Sequence, residues 1–339
     1  MKYAIWNNKG GVGKTFLSFI IGTEYARLHQ EKNVILVDMC PQANLSEIIL
    51  GGNGNGGKAL SNLLSRGKSR RTIGGYFDYR IQIPSNLVGV ESEYLINVEK
   101  INKNLPKNLY LICGDPSLEF QGQVINQISS QSAPQGIWRN VRLWLNNLVS
   151  ACSTKLGDES VTVIIDCNPS FSSYTEIAVS TADRLIMPCS SDGSSARAID
   201  NVSGLLYGFN TPEDYKQSNF ASKAAEHNMA FPLINAVILN RSTQYGGEAS
   251  NAFKAMFREI KDRVNRFKKS SPNKFVKGED LFFEMPDTHQ IAIACSHTGR
   301  PLHKIEAKSY RIHNKTIKVN DDQLDRYSSA TEKLLEIID

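Results

Sequence analysis

The sequence predicts an α/β fold: a mostly parallel, twisted sheet flanked by helices. Three observations carry this. Lys2 to Asn7 is a short β-like run that enters a glycine-rich turn at once. Lys14 to His29 then shows helical spacing, with Leu17, Ile20, Ile21, Tyr25 and Leu28 on one side. Asn33 to Asp38 (NVILVD) and Val161 to Asp166 (VTVIID) are apolar runs of strand length, each ending in a carboxylate. Strand, turn, helix, strand is the opening of a parallel sheet.

The remaining elements follow in order. Gly51 to Gly57 (GGNGNGG) is a flexible loop. Residues 51–108 read as an insertion within a single domain spanning 1–339, holding a helix and a hairpin. Its basic patch comprises Arg66, Lys68, Arg70 and Arg71. Leu109 to Cys113 (LYLIC) resumes the strand pattern, and a helix is expected over Gly136 to Ala151. Further strands are expected at Arg184 to Pro188, Leu233 to Leu239 and Leu281 to Glu284. Ala249 to Lys269 and Asp321 to Ile338 read as helices, and no tandem repeat is visible.

Composition agrees with a globular, ligand-binding chain. Its 339 residues include 39 Lys and Arg against 34 Asp and Glu, a net charge of +5. Apolar content of 41% and charged content of 22% argue against wholesale disorder. A chain this long buries roughly three quarters of its unfolded surface, so its core needs no staples. The mild positive charge permits an acidic partner without demanding one. Cys40, Cys113, Cys152, Cys167, Cys189 and Cys295 are dispersed, without a CxxC pair. That pattern favours a reduced, cytoplasmic setting over a zinc site or disulfide framework. The apolar stretch at the N-terminus is too short for a signal peptide, and no run is long enough to span a bilayer.

The clearest motif is Lys9-Gly10-Gly11-Val12-Gly13-Lys14-Thr15. Successive backbone N–H groups of such a turn wrap an anionic phosphate, and the next helix presents its positive end. Glycine lets the backbone approach without a Cβ in the way. Lys14 supplies a cation to the β- and γ-phosphates, and Thr15 a hydroxyl to Mg²⁺. The usual P-loop pattern has glycine where this chain has Asn8. The extra Lys9 lies on the near side of the loop and could reach a nucleotide on another subunit. Asp38 and Asp166 fall at strand ends beside the loop, where a parallel sheet places its ligands. Asp166 is the expected carboxylate behind Mg²⁺.

These residues resemble the ParA/MinD family, the deviant-Walker-A branch of P-loop NTPases. Four blocks carry the resemblance in family order: Lys9 to Thr15, Val37 to Ser46 (VDMCPQANLS), Ile164 to Ser170 (IIDCNPS) and Met285 to Pro301 (MPDTHQIAIACSHTGRP). The PQxN after the second strand is similar to ParA-type members more than to MinD. The resemblance implies ATP and Mg²⁺ as cofactors and a homodimer sandwiching two ATP molecules. Lys9 would cross to the partner's phosphates while Lys14 serves its own. ATP contacts would come from Lys9, Gly10, Gly11, Val12, Gly13, Lys14, Thr15 and Phe16, with Asn240 and Pro286 near the adenine. Thr15, Asp38 and Asp166 would serve the metal. The resemblance also implies DNA partition: non-specific double-stranded DNA held by the ATP state, a ParB-like adaptor that triggers release, and association with the nucleoid. With no extension before its first strand, the chain resembles the short type lacking a helix-turn-helix.

Several positions depart from the family pattern. Cys40 stands where the family has the Asp that positions the attacking water, so Lys9, Lys14 and Cys40 are the catalytic candidates. A thiol accepts hydrogen bonds more weakly than a carboxylate, which predicts slow hydrolysis or a substitute group. A redox-sensing role for Cys40 is a minor alternative. Asn168 replaces the first Pro of PPS. Asp287 and Gln290 stand where relatives place DNA-contacting arginines. A replacement DNA surface is sought in Lys254, Arg258, Lys261, Arg263, Arg266, Lys268 and Lys269, with Lys274 and Lys277 beyond. The stretch has nine basic residues against Glu259 and Asp262; a solvated helix face explains it equally well.

The last helix carries Asp321, Asp322, Asp325, Glu332 and Glu336, an acidic face that anionic lipid repels, so core packing rather than membrane binding is expected. His227, His289, His297 and His303 show no metal spacing. Three alternatives to DNA partition remain open: a ParA-like switch in positioning or defence, an ATP-dependent ligase or synthase of the same branch, and a nucleotide-sensing scaffold that binds ATP but hardly turns it over.

Overall fold

The computed structural model describes the chain apart from residues 132, 158–160, 217, 243, 246–247, 250, 279, 288 and 339, and apart from the side chains of 68, 241–242, 244–245, 248–249 and 251–253. Twelve strands occur among the described residues. They are β1 (Lys2–Ile5), β2 (Asn33–Met39), β3 (Leu95–Asn97), β4 (Leu109–Ile112), β5 (Val161–Cys167), β6 (Arg184–Cys189), β7 (Leu233–Ser242), β8 (Gln244–Tyr245), β9 (Glu248–Ala249), β10 (Phe282–Pro286), β11 (Ser309–Ile312) and β12 (Lys315–Lys318). Eight of them form one sheet in the order β10-β7-β6-β1-β5-β2-β4-β3. Every pairing in it is parallel except that of β3 with β4. The expected α/β architecture is therefore the observed one.

Helices cover both faces, and β5 is buried along its whole length. That is why its sequence reads as a continuous apolar run rather than an alternation. Successive side chains nevertheless go to opposite faces. Ala4 and Trp6 join one core with Ile35, Val163 and Ile165, under the helices Ile73–Gln82, Trp144–Leu156 and Gly193–Tyr207. Tyr3 and Ile5 join the other with Leu36 and Ile164, under the helices Lys14–Leu28 and Asp321–Leu335. The closing helix buries Tyr327, Leu334 and Leu335, as a core-packing helix should.

Register positions the functional ends. β2 and β5 run side by side with Asp38 opposite Asp166, and β1 places Ile5 opposite Asp166 on its other side. The P-loop leaves the carboxyl end of β1, which lies between β6 and β5. The helix Lys14–Leu28 then lies so close to β2 that a Cβ on Gly22 would meet Leu36 Cδ2 at 2.6 Å.

Elements differ in detail from the sequence expectation. The helix expected over 136–151 is two helices, Ile137–Arg142 and Trp144–Leu156, broken at Leu143. Within 51–108 lie the helices Asn55–Leu64 and Ile73–Gln82, then β3, which pairs back onto β4 as the sheet's antiparallel edge.

Candidate functional site

The phosphate loop runs into the helix Lys14–Leu28 through Gly13, whose φ of 85° lies in the left-handed region that glycine enters freely. A Cβ there would sit 2.1 Å from Asn240 Nδ2. Asn240 is buried beneath the loop and donates to the Val12 carbonyl at 2.9 Å. It thus braces the loop backbone from below. Above the loop opens a cavity of about 530 Å³. Gly10, Gly11, Gly13, Lys14, Thr15 and Phe16 line one side, and Cys40, Gln42, Asn44, Cys167 and Pro169 the other.

Lys14 is folded into the loop. Its ammonium donates to the Lys9 carbonyl at 2.6 Å and the Asn7 carbonyl at 3.2 Å. Burial lowers its pKa from the usual lysine value, and the nearby Asp166 opposes that shift. Phe16 stacks against Phe19 and Tyr327, with ring centroids 6.2 and 6.1 Å away, and so fixes the first helical turn.

The two aspartates have different tasks. Asp38 spends both oxygens on its own surroundings: Oδ1 accepts from Cys40 N, and Oδ2 from the Ser46 N–H and hydroxyl. Asp166 accepts from the Ser18 hydroxyl through Oδ1 and is hydrogen-bonded by Thr15. Its Oδ2 is buried with no partner. Burial, then the neighbouring Asp38, push the Asp166 carboxyl up to about 7. An unpaired carboxylate oxygen beside a threonine hydroxyl suits a hard cation such as Mg²⁺. The orphaned oxygen thus fits a nucleotide-bound metal, for which Thr15 would be a ligand and Asp166 the counter-charge.

Cys40 is almost fully buried, at 6% exposure. Its sulfur donates to Gln42 Oε1 at 2.8 Å and faces Asn168 Oδ1 at 3.8 Å. Burial pushes the thiol up to about 12, with Asp38 and Asp166 adding to the shift. It is a neutral donor at pH 7, with neither the basicity of a carboxylate nor the thiolate character of a redox sensor.

Lys9 turns away from the cavity. Its ammonium reaches the Ser190 hydroxyl at 2.8 Å, the Ser195 hydroxyl at 3.3 Å and the Asp192 carboxylate. Asp192 is also the N-cap of the helix Gly193–Tyr207. Asn8 bridges the same elements, donating to the Pro169 carbonyl and accepting from Asn201. Pro286 ends the edge strand β10 and lines a separate cavity of about 750 Å³ with Arg326 and Lys333.

The basic stretch forms the helix Asn251–Ser270, which buries Phe257, Ile260, Val264 and Phe267. Lys254, Arg258, Lys261 and Lys268 recur at helical spacing along one flank, with Lys269 beside them. Lys261 lies 4.2 Å from the Phe257 ring centroid, and Lys268 lies 5.8 Å from that of Phe275. Arg263 leaves this flank to pair with Asp200 and Glu259. Arg266 is exposed beyond it. Asp287 is exposed and caps the next helix through the His289 N–H.

Sequence reasoning missed Ser190, Asp192 and Ser195 as the partners of Lys9. The signal was present, since Ser-Asp-Gly-Ser-Ser directly after a buried strand is a helix N-cap pattern. His303 proves structural, paired with the buried Glu24 at 2.9 Å. No group of three metal-ligating side chains occurs among the described residues. No described helix is long and apolar enough to cross a membrane.

A phosphate loop at the carboxyl end of a central parallel strand, with a second lysine ahead of its glycines, defines a P-loop nucleotide-binding protein of the ParA/MinD type. A family model for an AAA domain, AAA_31, matches residues 1–220, and the chain belongs to that family. No curated protein sequence matches the chain. Among solved structures, apo McdA from Cyanothece shares the fold with a TM-score of 0.61 at 17% identity, covering 98% of each chain. A putative plasmid partition protein from Borrelia burgdorferi B31 bound to AMPPNP has a TM-score of 0.52 at 17% identity, covering 99% of this chain and 98% of that one. Cobyrinic acid a,c-diamide synthase from Mycobacterium smegmatis, bound to an ATP analogue and magnesium, has a TM-score of 0.51 at 16% identity, covering 88% of this chain and 92% of that one.

Proposed function

We propose that this protein is an ATP-binding, dimerising switch of the DNA-partition type, with Mg²⁺ as the nucleotide's metal. The observation that carries this reading is the glycine cradle at Gly10–Thr15, flanked by Lys14 and by the unpaired Asp166 oxygen. Backbone N–H groups and Lys14 would bind the phosphates, and Thr15 and Asp166 would hold Mg²⁺. The nucleotide-bound neighbours support ATP as the ligand.

Lys9 is the residue of the switch. On the Asp192 cap it serves its own subunit; released, it would reach the partner's phosphates and make the homodimer depend on ATP. The flank from Lys254 to Lys269 would then hold non-specific double-stranded DNA by neutralising phosphates. A ParB-like adaptor on the cargo would trigger hydrolysis and release. Hydrolysis is slow, because the neutral Cys40 thiol replaces a carboxylate that would orient water.

Retention on non-specific double-stranded DNA, with ATP, ADP or no nucleotide, tests the reading. Retention in ATP alone, steeply salt-dependent and absent in Lys14→Ala, is expected. Equal weak retention in all three states refutes it. Lys268→Glu with Lys269→Glu should lower affinity and flatten the salt dependence by roughly one unit of slope per lost phosphate contact.

A further inference from the structure

We propose that Gln42 is the group that orients the attacking water, and that Cys40, packed against Asn168, positions its side-chain amide. The inference rests on the ATP-hydrolysing reading above and names the group that does the work left by the missing carboxylate.

Both Cys40 and Gln42 line the phosphate-loop cavity, opposite Lys14 and Thr15. The buried Cys40 has one S–H, and it donates to Gln42 Oε1 at 2.8 Å. Its other neighbour, Asn168 Oδ1 at 3.8 Å, is also an acceptor. Asn168 is itself held in place, because its Nδ2 donates to the Ser170 hydroxyl at 2.8 Å and the Tyr174 hydroxyl at 2.7 Å. The single S–H goes to the nearer oxygen, that of Gln42, and the thiol has no second proton to give to Asn168 or to a water. The Gln42 amide, exposed at the cavity mouth, keeps a second lone pair on Oε1 and two N–H donors. One amide can thus accept from a water and donate to a phosphate oxygen, as a glutamine does in other P-loop NTPases.

The step balances without proton transfer to the protein. The water oxygen bonds to the γ-phosphorus, the bond from that phosphorus to the bridging oxygen breaks, and ADP departs with the bonding pair. One proton of the water stays on its oxygen as the new P–O–H, and the other passes to a second oxygen of the released phosphate. Gln42 gains and loses nothing; it fixes the line of attack.

Two positions that depart from the family pattern are coupled here. A proline at position 168 would leave the Cys40 sulfur without its second amide oxygen, and an aspartate at position 40 would face that oxygen with a like partial charge.

The test is steady-state ATP turnover together with binding of a fluorescent ATP analogue, on full-length protein whose folding is checked by thermal melting. Gln42→Ala should lower kcat roughly 10²-fold, the scale of a misplaced reactant, while KM and nucleotide affinity hold. Cys40→Ala should lower kcat by about tenfold, and Cys40→Ser should recover most of that loss because its O–H donates to the same oxygen. A Gln42→Ala protein that turns over like a hydrolysing wild type overturns the proposal and leaves the ATPase reading standing. Loss of nucleotide affinity in step with turnover also overturns it, making Gln42 a binding group. If wild type binds ATP but turns over no faster than Lys14→Ala, the ATPase reading falls and takes the proposal with it.

Discussion

Gly13→Ala would strike the phosphate loop at its tightest point. Two costs can be read from the structure. Gly13 has a φ of 85°, where an L-residue is disfavoured by about 1–2 kcal/mol. Its new Cβ would stand 2.1 Å from Asn240 Nδ2 and force that amide off the Val12 carbonyl, which it bonds at 2.9 Å. Losing one such bond costs about 1 kcal/mol. If both costs fall on the binding-competent loop, nearly 2–3 kcal/mol is lost, and ATP affinity should drop roughly 30- to 150-fold. Titration of a fluorescent ATP analogue measures it. The clash exists only between these two side chains, so the Asn240→Ala background should relieve part of the loss and leave the cost of the strained φ. A Gly13→Ala protein that binds ATP as wild type does, or a double variant whose losses simply add, would refute the reasoning.

Three further outcomes are expected. The Asp166 carboxyl is raised from 3.8 to about 7, so the folded form keeps a proton that the unfolded chain has released. Stability without nucleotide should fall as pH rises from about 4 to 7 and level off above, and Asp166→Asn should flatten that slope in thermal melts. Asp192→Asn keeps a helix cap but removes the charge facing Lys9; a half-exposed ion pair is worth about 0.2–1 kcal/mol, so ATP-dependent self-association should tighten by up to about fivefold per subunit in sedimentation. Unchanged association would mean that Asp192 does not restrain Lys9. Trp144→Ala removes a fully buried ring whose Nε1 donates to the Pro84 carbonyl, and should cost about 3–5 kcal/mol in urea unfolding.

The parts of the fold most legible in the sequence are those whose chemistry is local. β2 and β5 could be read because a strand buried on both faces must be apolar throughout, and the P-loop because its glycines and lysine are contiguous. The helix Gly193–Tyr207 was harder to see, since Ser194, Ser195, Asn201, Ser203 and Gly204 weaken the helical signal and only its packing against the core sustains it. β3 was hidden for a different reason. Three half-buried residues at a sheet edge carry no period of their own. At the site, Lys14, Thr15 and Asp166 fell where strand-end logic puts them. The pairing of Lys9 with Asp192, of Cys40 with Asn168 and of Asn240 with Val12 joins residues 183, 128 and 228 positions apart, and no local pattern announces them.

The phosphate loop has one stiff neighbour and one more exposed one. Asp38 clasps Ser46, and the Ser46 hydroxyl in turn receives the Gly114 N–H at 2.8 Å, all in the interior. That neighbour cannot shift without breaking buried hydrogen bonds. On its other side the loop meets the segment after β6 through Asn8 to Asn201 and Lys9 to the Ser190–Asp192 turn, while Asn7 beneath donates to the buried Pro188 carbonyl at 2.7 Å. Asp200, on the helix Gly193–Tyr207 that follows this turn, pairs with Arg263 of the basic helix. If nucleotide draws Lys9 and Asn8 off these partners, the disturbance reaches the basic helix through Asp200 and Arg263, and amide exchange near Lys254 and Arg258 should answer to ATP while the Asp38–Ser46 segment stays silent.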